Sequence, residues 1–303
     1  IFNKLHCYSA IYFYICDTNT LKNMDDIAIC CMSGGYKNVF THGVLGAFEE
    51  KGIRAKAYAS CSSSVLIAAF AAFNKVSALG LSLWSDGYAT SQAEGNQSGA
   101  MLQSIQRLST EIKNNLWNPQ AARLLVATSF VKTEEAAQVT QSDGARRLGQ
   151  MLLINALRHK PEWKNQNLEL QMFDTHSDER TELLTKENLD EVAYATTRML
   201  HAWNIPAFIN NKPYVDGSYT SICPVVPLSE LGYKEIVCIC TEKEKVTFDL
   251  FSEEEIPARI NDSTIRFIKP DHDLKEMGVD FYTIAGNGLE DVYNHGREKG
   301  LSF

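Results

Sequence analysis

The most restrictive feature of the chain is an alternation of short apolar runs and helical patterns over residues 27–73. Residues 27–32 are almost continuously apolar and end in a Ser-Gly-Gly loop, and a helical spacing of apolar residues follows at 41–51. A second apolar run at 55–59 leads through a serine-rich turn into an alanine- and leucine-rich helical pattern at 62–73. Strand, loop, helix, strand, turn and helix in this order predict parallel strands covered by helices.

The rest of the chain continues this α/β pattern without repeats or a linker. Periodicity predicts helices at 98–115, 143–159, 189–201 and 280–296, a polar loop at 133–143, and strands at 168–173, 213–217, 236–240 and 265–270.

We therefore predict a single domain at 24–303 with a central, mostly parallel sheet flanked by helices in three layers, α/β/α. Residues 76–165 are interpreted as a variable helical cap or insertion within that domain. Residues 1–23 precede Met24 and are interpreted as an extension, of native upstream or vector origin, outside the fold.

Composition and charge exclude some partners. The chain has 303 residues, of which 45% are hydrophobic, so a large core can form. Its formal net charge is -8 and its pI is about 5.4, which argues against nucleic acid and against broad electrostatic docking on an anionic membrane. Binding of a single acyl chain in an apolar slot needs no basic surface and remains open.

The cysteine pattern predicts neither a zinc site nor another metal site, and no cofactor is expected. Eight cysteines lie mostly in apolar runs and show no C-x-x-C spacing, so we expect reduced, buried thiols. The apolar segment 8–16 is too short to cross a bilayer, and it lacks the basic region and cleavage site of a signal peptide. These features predict a cytoplasmic protein.

The turn Ser60-Cys61-Ser62-Ser63-Ser64 lies between a predicted strand and a predicted helix. A serine at the centre of such a sharp turn is typical of a nucleophile elbow, in which the positions two before and two after are usually glycine. Here Ser60 and Ser64 occupy those positions. The alternative is a serine-rich helix start in which the hydroxyls only cap the helix.

Two further segments point to the same chemistry. Ser33-Gly34-Gly35-Tyr36-Lys37-Asn38 follows a strand and precedes a helix, so its backbone N–H groups can converge on a small anion, as an oxyanion hole requires. A nucleotide phosphate loop is disfavoured because its glycine motifs are missing, and a plain tight turn remains the alternative. Asp216-Gly217 also follows a strand, where a catalytic acid or an ordinary turn is expected.

The three segments, in this order, resemble the patatin-like phospholipase family. The glycine loop is similar to the family's G-G-G-x-[RK]-G, the elbow to G-x-S-x-G, and Asp216-Gly217-Ser218 to D-G-[GA]. The helix start Gly43-Val44-Leu45 and the stretch Pro224-Val225-Val226-Pro227-Leu228 extend the resemblance, which covers about 26–75 and 190–240.

The resemblance implies a lipid acyl hydrolase of the phospholipase A or lysophospholipase type. Ser62 is then the nucleophile and Asp216 the general base of a Ser–Asp dyad, with the oxyanion held by the backbone N–H groups of Gly34, Gly35 and Tyr36. Lys37 takes the family's Arg/Lys position, where it either supports the loop or faces the substrate head group and is not a base. Lys37 and Ser63 are the residues assigned to substrate binding. The implied partner is a phospholipid or another acyl lipid, reached by transient membrane contact, and nothing points to an oligomeric state.

Two alternatives stay open. An acyl-enzyme can also pass its acyl group to an acceptor other than water, which makes an acyltransferase. Because serine replaces the family's glycine at 33, 60 and 64, and asparagine replaces it at 38, the chain can also be a lipid-binding or scaffold protein with a decayed site.

Other candidate residues were weighed against these. His42, His201 and His272 are candidates for a third triad member, but none follows an acid at an evident strand end. The run Asp271-His272-Asp273 is a weak metal candidate and reads more simply as a solvated turn. Cys61, next to the proposed nucleophile, is either a reactive thiol or a small residue that fills the turn.

Overall fold

The structure, a computed structural model, describes residues 27–303, so the predicted extension at 1–23 lies outside the described residues. Residues 27–303 contain ten strands: β1 Ile27–Cys31, β2 Ala57–Cys61, β3 Arg123–Val131, β4 Leu168–Asp174, β5 Glu182–Leu183, β6 Phe208–Ile209, β7 Lys212–Asp216, β8 Glu235–Ile239, β9 Arg259–Ile260 and β10 Ser263–Ile268.

Ten α-helices of the described chain surround these strands: α1 Val39–Glu50, α2 Val65–Ala72, α3 Ser82–Glu94, α4 Ser98–Asn115, α5 Glu134–Thr140, α6 Ala145–Leu157, α7 Glu162–Asn167, α8 Leu189–Ala195, α9 Val225–Glu230 and α10 Gly288–Ser302. Short 3₁₀ turns at Gly35–Asn38, Ser62–Ser64 and Gly217–Tyr219 follow the ends of β1, β2 and β7.

The strands form one mixed sheet whose central part is parallel. The order is β5-β4-β3-β2-β1-β8-β10-β9, with β7 paired to β3 and β6 to β7. Strands β3, β2, β1, β8 and β10 run parallel to one another. Strands β4 and β7 pair antiparallel to β3, β9 pairs antiparallel to β10, and β5 pairs parallel to β4. The predicted mostly parallel sheet is confirmed.

Both faces of the sheet are covered. Along β1, Ile29 and Cys31 belong to the core shared with α1, α2 and α10, while Ala28 and Cys30 belong to a second core shared with α9. Because alternate residues of a strand point to opposite faces, burial of all four requires a layer on each side. The three-layer α/β/α prediction is therefore confirmed. No helix within 27–303 combines the length and apolarity needed to span a membrane.

Local predictions differ from the structure at several points. The stretch 76–165 is not wholly helical, because β3 runs through it and pairs with β2 in the sheet. The predicted loop 133–143 contains helix α5, which Thr133 caps by accepting the Ala136 N–H. The last helix begins at Gly288 instead of 280, and the helix predicted at 189–201 ends at Ala195. Apolar periodicity alone extends both predicted helices into residues that form turns in the structure. Those turns pack against the site through Thr196 and Phe281.

Sheet topology brings three loops together. Strands β1 and β2 are adjacent and parallel, with Cys31 opposite Ser60, so the loops after both strands leave the same edge of the sheet. Strand β3 is parallel to β2 and pairs Cys61 with Ala127, while β7 runs antiparallel to β3 and pairs Asp216 with Thr128. Asp216 therefore reaches the same edge from the opposite strand direction.

Candidate active site

Ser62 occupies a strained position at the end of β2. Its φ is 58°, a left-handed conformation that is uncommon for a non-glycine residue. The side chain is only 5% exposed, and its Oγ donates a hydrogen bond to Oδ2 of Asp216 at 2.8 Å. Backbone strain of this kind is often found at functional turns, where the surrounding structure holds it in place.

The strained turn is held from one side by Thr196, which follows α8. The backbone N–H of Ser62 donates to Oγ1 of Thr196 at 2.9 Å, and that hydroxyl donates to the carbonyl of Ala127 in β3 at 2.6 Å. Sequence patterns gave no signal for Thr196, because its predicted place was inside a helix.

The two serines at the elbow positions where the family resemblance predicts glycine fit without strain. Ser60 and Ser64 are fully buried, and neither has a positive φ. The Ser64 hydroxyl accepts the Cys61 N–H at 3.2 Å and lies within hydrogen-bonding distance of the carbonyls of Cys31 and Cys61, while Ser60 donates to the carbonyl of Leu125 at 3.3 Å. Within this turn only Ser62 adopts the left-handed conformation.

Asp216 is fully buried at the end of β7 and accepts hydrogen bonds on both carboxylate oxygens. Ser218 donates to Oδ1 from its backbone N–H at 2.8 Å and from its hydroxyl at 2.6 Å, while Ser62 donates to Oδ2. Burial raises the pKa of Asp216 from 3.8 to about 6, although these hydrogen bonds act in the opposite direction. The carboxylate is thus more basic than an exposed one.

The glycine loop presents backbone donors beside this pair. Among residues 27–303 no acceptor takes the N–H groups of Gly34 or Gly35. Gly35 has a φ of 55°, and a Cβ there would overlap the carbonyl oxygen of Phe281. The Tyr36 N–H donates to that same carbonyl at 3.2 Å. Two of the three predicted oxyanion donors are therefore free in this conformation.

Other residues of the loop hold it in place. Lys37 is 5% exposed, and its Nζ lies 3.0 Å from Oε1 of Glu242 and 4.7 Å from the centre of the Phe281 ring. These contacts place Lys37 in support of the loop, and its substrate contact stays a prediction. Asn38 has a φ of -68°, so this position does not require the conformational freedom of glycine.

Ser63 connects the loop to the elbow. Its hydroxyl accepts a hydrogen bond from Nδ2 of Asn38 at 2.8 Å and donates to the carbonyl of Gly35 at 2.8 Å. Asn38 in turn accepts a hydrogen bond from Thr41. Ser63 also lines the apolar cavity described next. It therefore has a structural role within the protein, and its predicted contact with the substrate stays a prediction.

An apolar cavity of about 70 Å³ begins at the glycine loop. Gly35, Tyr36 and Ser63 line it, together with apolar side chains from α2, α3 and α4 that include Leu66, Trp84 and Met101. Ser62 does not line it. The helix predicted at 98–115 thus contributes residues both to the core and to the cavity wall.

None of the three candidate histidines contacts Asp216. His42 Nδ1 accepts the Trp84 Nε1–H at 3.2 Å, and burial lowers its pKa to about 4. His201 lies 2.8 Å from the hydroxyl of Tyr282, and burial followed by the charge of Arg146 lowers its pKa. His272 lies against the ring of His295. The arrangement is a dyad without histidine among the described residues.

One group of potential metal ligands exists in the described part of the chain. The Sγ atoms of Cys30, Cys223 and Cys238 lie within 4.8 Å of one another in the core on the α9 side of the sheet. Burial raises the pKa of all three thiols well above the usual value, so they are neutral. Cys61 is also buried with a raised pKa, which favours its role as a space-filling residue over a reactive one.

The Asp271–Asp273 run does not converge on a common point. Asp271 pairs with Lys299 at 2.8 Å, and its backbone N–H donates to His295.

The chain was compared with protein-family models and with curated proteins, and neither comparison gave a match.

Proposed function

We propose that the protein is a serine lipid acyl hydrolase of the patatin-like type, which cleaves acyl esters of phospholipids or lysophospholipids. The observation that carries the proposal is the 2.8 Å hydrogen bond from Ser62 Oγ to Asp216 Oδ2 beside the free N–H groups of Gly34 and Gly35. Nucleophile, base and oxyanion donors at one edge of a sheet are the parts that acyl transfer needs.

In this proposal Ser62 Oγ attacks the ester carbonyl while its proton passes to Asp216 Oδ2. The negative charge that develops on the carbonyl oxygen is stabilised by the Gly34 and Gly35 N–H groups. Collapse of the tetrahedral intermediate breaks the carbon–oxygen bond, and the leaving alkoxide takes the proton back from Asp216. Water then attacks the acyl-enzyme with Asp216 as base, which releases the fatty acid and restores Ser62.

The condition of the site supports catalysis over a decayed lipid-binding site. Ser60 and Ser64 form hydrogen bonds inside the turn and leave the dyad distance intact. Ser218 orients the carboxylate through Oδ1 and so leaves Oδ2 for the nucleophile. These contacts are consistent with a maintained catalytic geometry.

The surroundings fit an acyl substrate. The apolar cavity begins at the glycine loop, where an acyl chain next to the reacting carbonyl would enter it. Phe281 lines that cavity and is 39% exposed. Transient contact with a lipid surface is part of the proposal, because a phospholipid substrate lies in one. The six described cysteines are free thiols, in keeping with the reducing compartment that we propose, the cytoplasm.

A fluorophosphonate probe tests the nucleophile. We expect labelling of the wild type, none of Ser62→Ala, and loss of about 10³-fold in hydrolysis for Asp216→Asn, since a positioned general base contributes about 10²–10⁴. Thermal unfolding should show that both variants remain folded. An active Asp216→Asn variant would exclude the dyad, and an unlabelled wild type would favour the lipid-binding alternative.

Product analysis separates the two fates of the acyl group. We expect free fatty acid as the main product even when alcohols or lysolipids are added as acceptors. Predominant transfer to the added acceptor would identify an acyltransferase instead.

A further inference from the structure

A second cavity, of about 470 Å³, adjoins the apolar one and differs from it in character. Gln97 and Trp203 line both cavities, so the two are neighbours across these side chains. The second cavity, here called the polar cavity, is also lined by Asp143, Arg146, His201 and Tyr282. None of these residues belongs to the dyad or to the glycine loop.

The polar cavity carries one positive and one negative side chain, and neither is neutralised. Arg146 and Asp143 are both exposed, and within 27–303 neither has an oppositely charged group within 4 Å, including each other. Most other cavity-lining groups are neutral. A ligand that matches this wall carries a positive and a negative charge at separate positions. A purely anionic group would face the like charge of Asp143, and a purely cationic group would face the like charge of Arg146.

Aromatic side chains form another part of the wall. The rings of Trp203 and Tyr282 meet edge to face with centres 6.4 Å apart, and the Tyr282 hydroxyl is fixed by His201 at 2.8 Å. Faces of such rings attract alkylammonium groups. Within the described residues, Nε1 of Trp203 and Nδ1 of His201 are buried without a hydrogen-bond partner.

We infer that the polar cavity binds a zwitterionic phosphodiester head group, with the phosphate on Arg146 and the ammonium group near Asp143 and the rings of Trp203 and Tyr282. A planar guanidinium suits phosphate oxygens, and a carboxylate with aromatic faces suits an ammonium group. The inference rests on the proposed function, because the neighbouring apolar cavity takes the first methylene groups of the acyl chain of the same lipid. It assigns specificity to Arg146 and Asp143.

Arg146→Gln tests the phosphate contact, and Arg147→Gln is its matched control because Arg147 is exposed and lines neither cavity. The measurement is the ratio of kcat/KM for phosphatidylcholine vesicles to kcat/KM for a soluble p-nitrophenyl ester. We expect this ratio to fall about tenfold in Arg146→Gln, the effect of losing one charge-assisted contact, and to stay unchanged in Arg147→Gln. Equal ratios in all three proteins would overturn the inference.

Asp143→Asn tests the ammonium contact. The wild type should hydrolyse phosphatidylcholine faster than phosphatidylglycerol, which lacks the ammonium group, and faster than diacylglycerol, which lacks the phosphate. The variant should shift preference toward phosphatidylglycerol by about fivefold, the effect of removing one charge contact near a surface. Equal hydrolysis of the three lipids by the wild type would overturn the head-group inference while leaving the hydrolase proposal standing.

Binding to an inactive protein separates this inference from the proposed function. Calorimetric titration of full-length Ser62→Ala with glycerophosphocholine, a soluble head group without acyl chains, should give binding that Arg146→Gln weakens and Arg147→Gln does not. Inorganic phosphate in place of glycerophosphocholine should bind more weakly, since it offers nothing to Asp143. No binding of glycerophosphocholine, or tighter binding of phosphate, contradicts the inference even if the protein proves to be a hydrolase.

Discussion

The serine turn after β2 and the glycine loop after β1 leave the same edge of the sheet, yet they use small residues for different reasons. In the turn, neither Ser60 nor Ser64 has a positive φ, and both hydroxyls form hydrogen bonds. In the loop, Gly35 has a φ of 55° and lies against the Phe281 carbonyl, so a side chain is excluded. A side chain is therefore excluded where a positive φ coincides with the close approach of neighbouring backbone atoms, as at Gly35.

The largest loss of activity is expected from a substitution at Gly35. Gly35→Ala should reduce kcat/KM by about 10²–10³. The new Cβ must displace the Phe281 carbonyl and so moves a backbone donor of the oxyanion hole, and the loss of one such donor reduces the rate by about that factor. Steady-state kinetics on a p-nitrophenyl ester measures the loss, with Gly52→Ala as a control for positive φ in open space. Activity close to that of the wild type would remove the glycine loop from the proposed mechanism.

The next prediction concerns the pH dependence of activity, which is set by Asp216, the hydrogen-bond partner of Ser62 in the serine turn. Its carboxylate must be ionised to act as base, so kcat/KM should fall about tenfold per pH unit below about 6, as the folded pKa requires. The same shift acts on stability. Since the folded pKa exceeds the ordinary value of 3.8, the folded state binds the proton more tightly, and stability falls as pH rises from about 4 to about 6.

Asp216→Asn removes this titration. Its free energy of unfolding relative to the wild type should therefore increase between pH 4 and pH 7, by up to about 3 kcal/mol at 1.36 kcal/mol per pKa unit. Urea unfolding at the two pH values measures the difference. A pH-independent difference would mean that burial does not raise the pKa of Asp216.

A smaller effect is expected at Thr196, which anchors the strained turn. Thr196→Val leaves the buried Ser62 N–H without its acceptor and should cost about 1–3 kcal/mol of stability, with a loss of activity as Ser62 relaxes. Thr196→Ser retains the hydroxyl and is the matched control. Chemical denaturation measures the loss of stability, and ester hydrolysis measures the loss of activity. If Thr196→Val has wild-type stability and activity, the conformation of the turn does not depend on the Thr196 hydroxyl.

The smallest effects are expected where glycine is substituted for the serines of the turn. Ser64→Gly should cost about 1 kcal/mol through its lost hydrogen bonds, and Ser60→Gly less, because its single bond is long. Neither should raise kcat. A substantially faster Ser60→Gly or Ser64→Gly enzyme would mean that the serines do restrict the site.

Much of the fold follows from local patterns. Continuous apolar runs and helical spacing predict β1, α1, β2 and α2 to within a few residues, because a buried parallel strand and its covering helix leave strong periodic signals. The same patterns miss β3 and extend the last helix back to 280. Residues 280–287 are helical in periodicity but turn back toward the glycine loop, where Phe281 bonds Tyr36.

The sequence by itself determined the α/β class and the three segments that carry Ser62, Asp216 and the glycine pair, because each is encoded by a run of neighbouring residues. Only the tertiary structure decided that Ser62 and Asp216, 154 positions apart, lie within a hydrogen bond, that Thr196 holds the turn, and that Tyr36 already has a partner. Strand pairing and chain reversal set those distances, and neither leaves a local trace in the sequence.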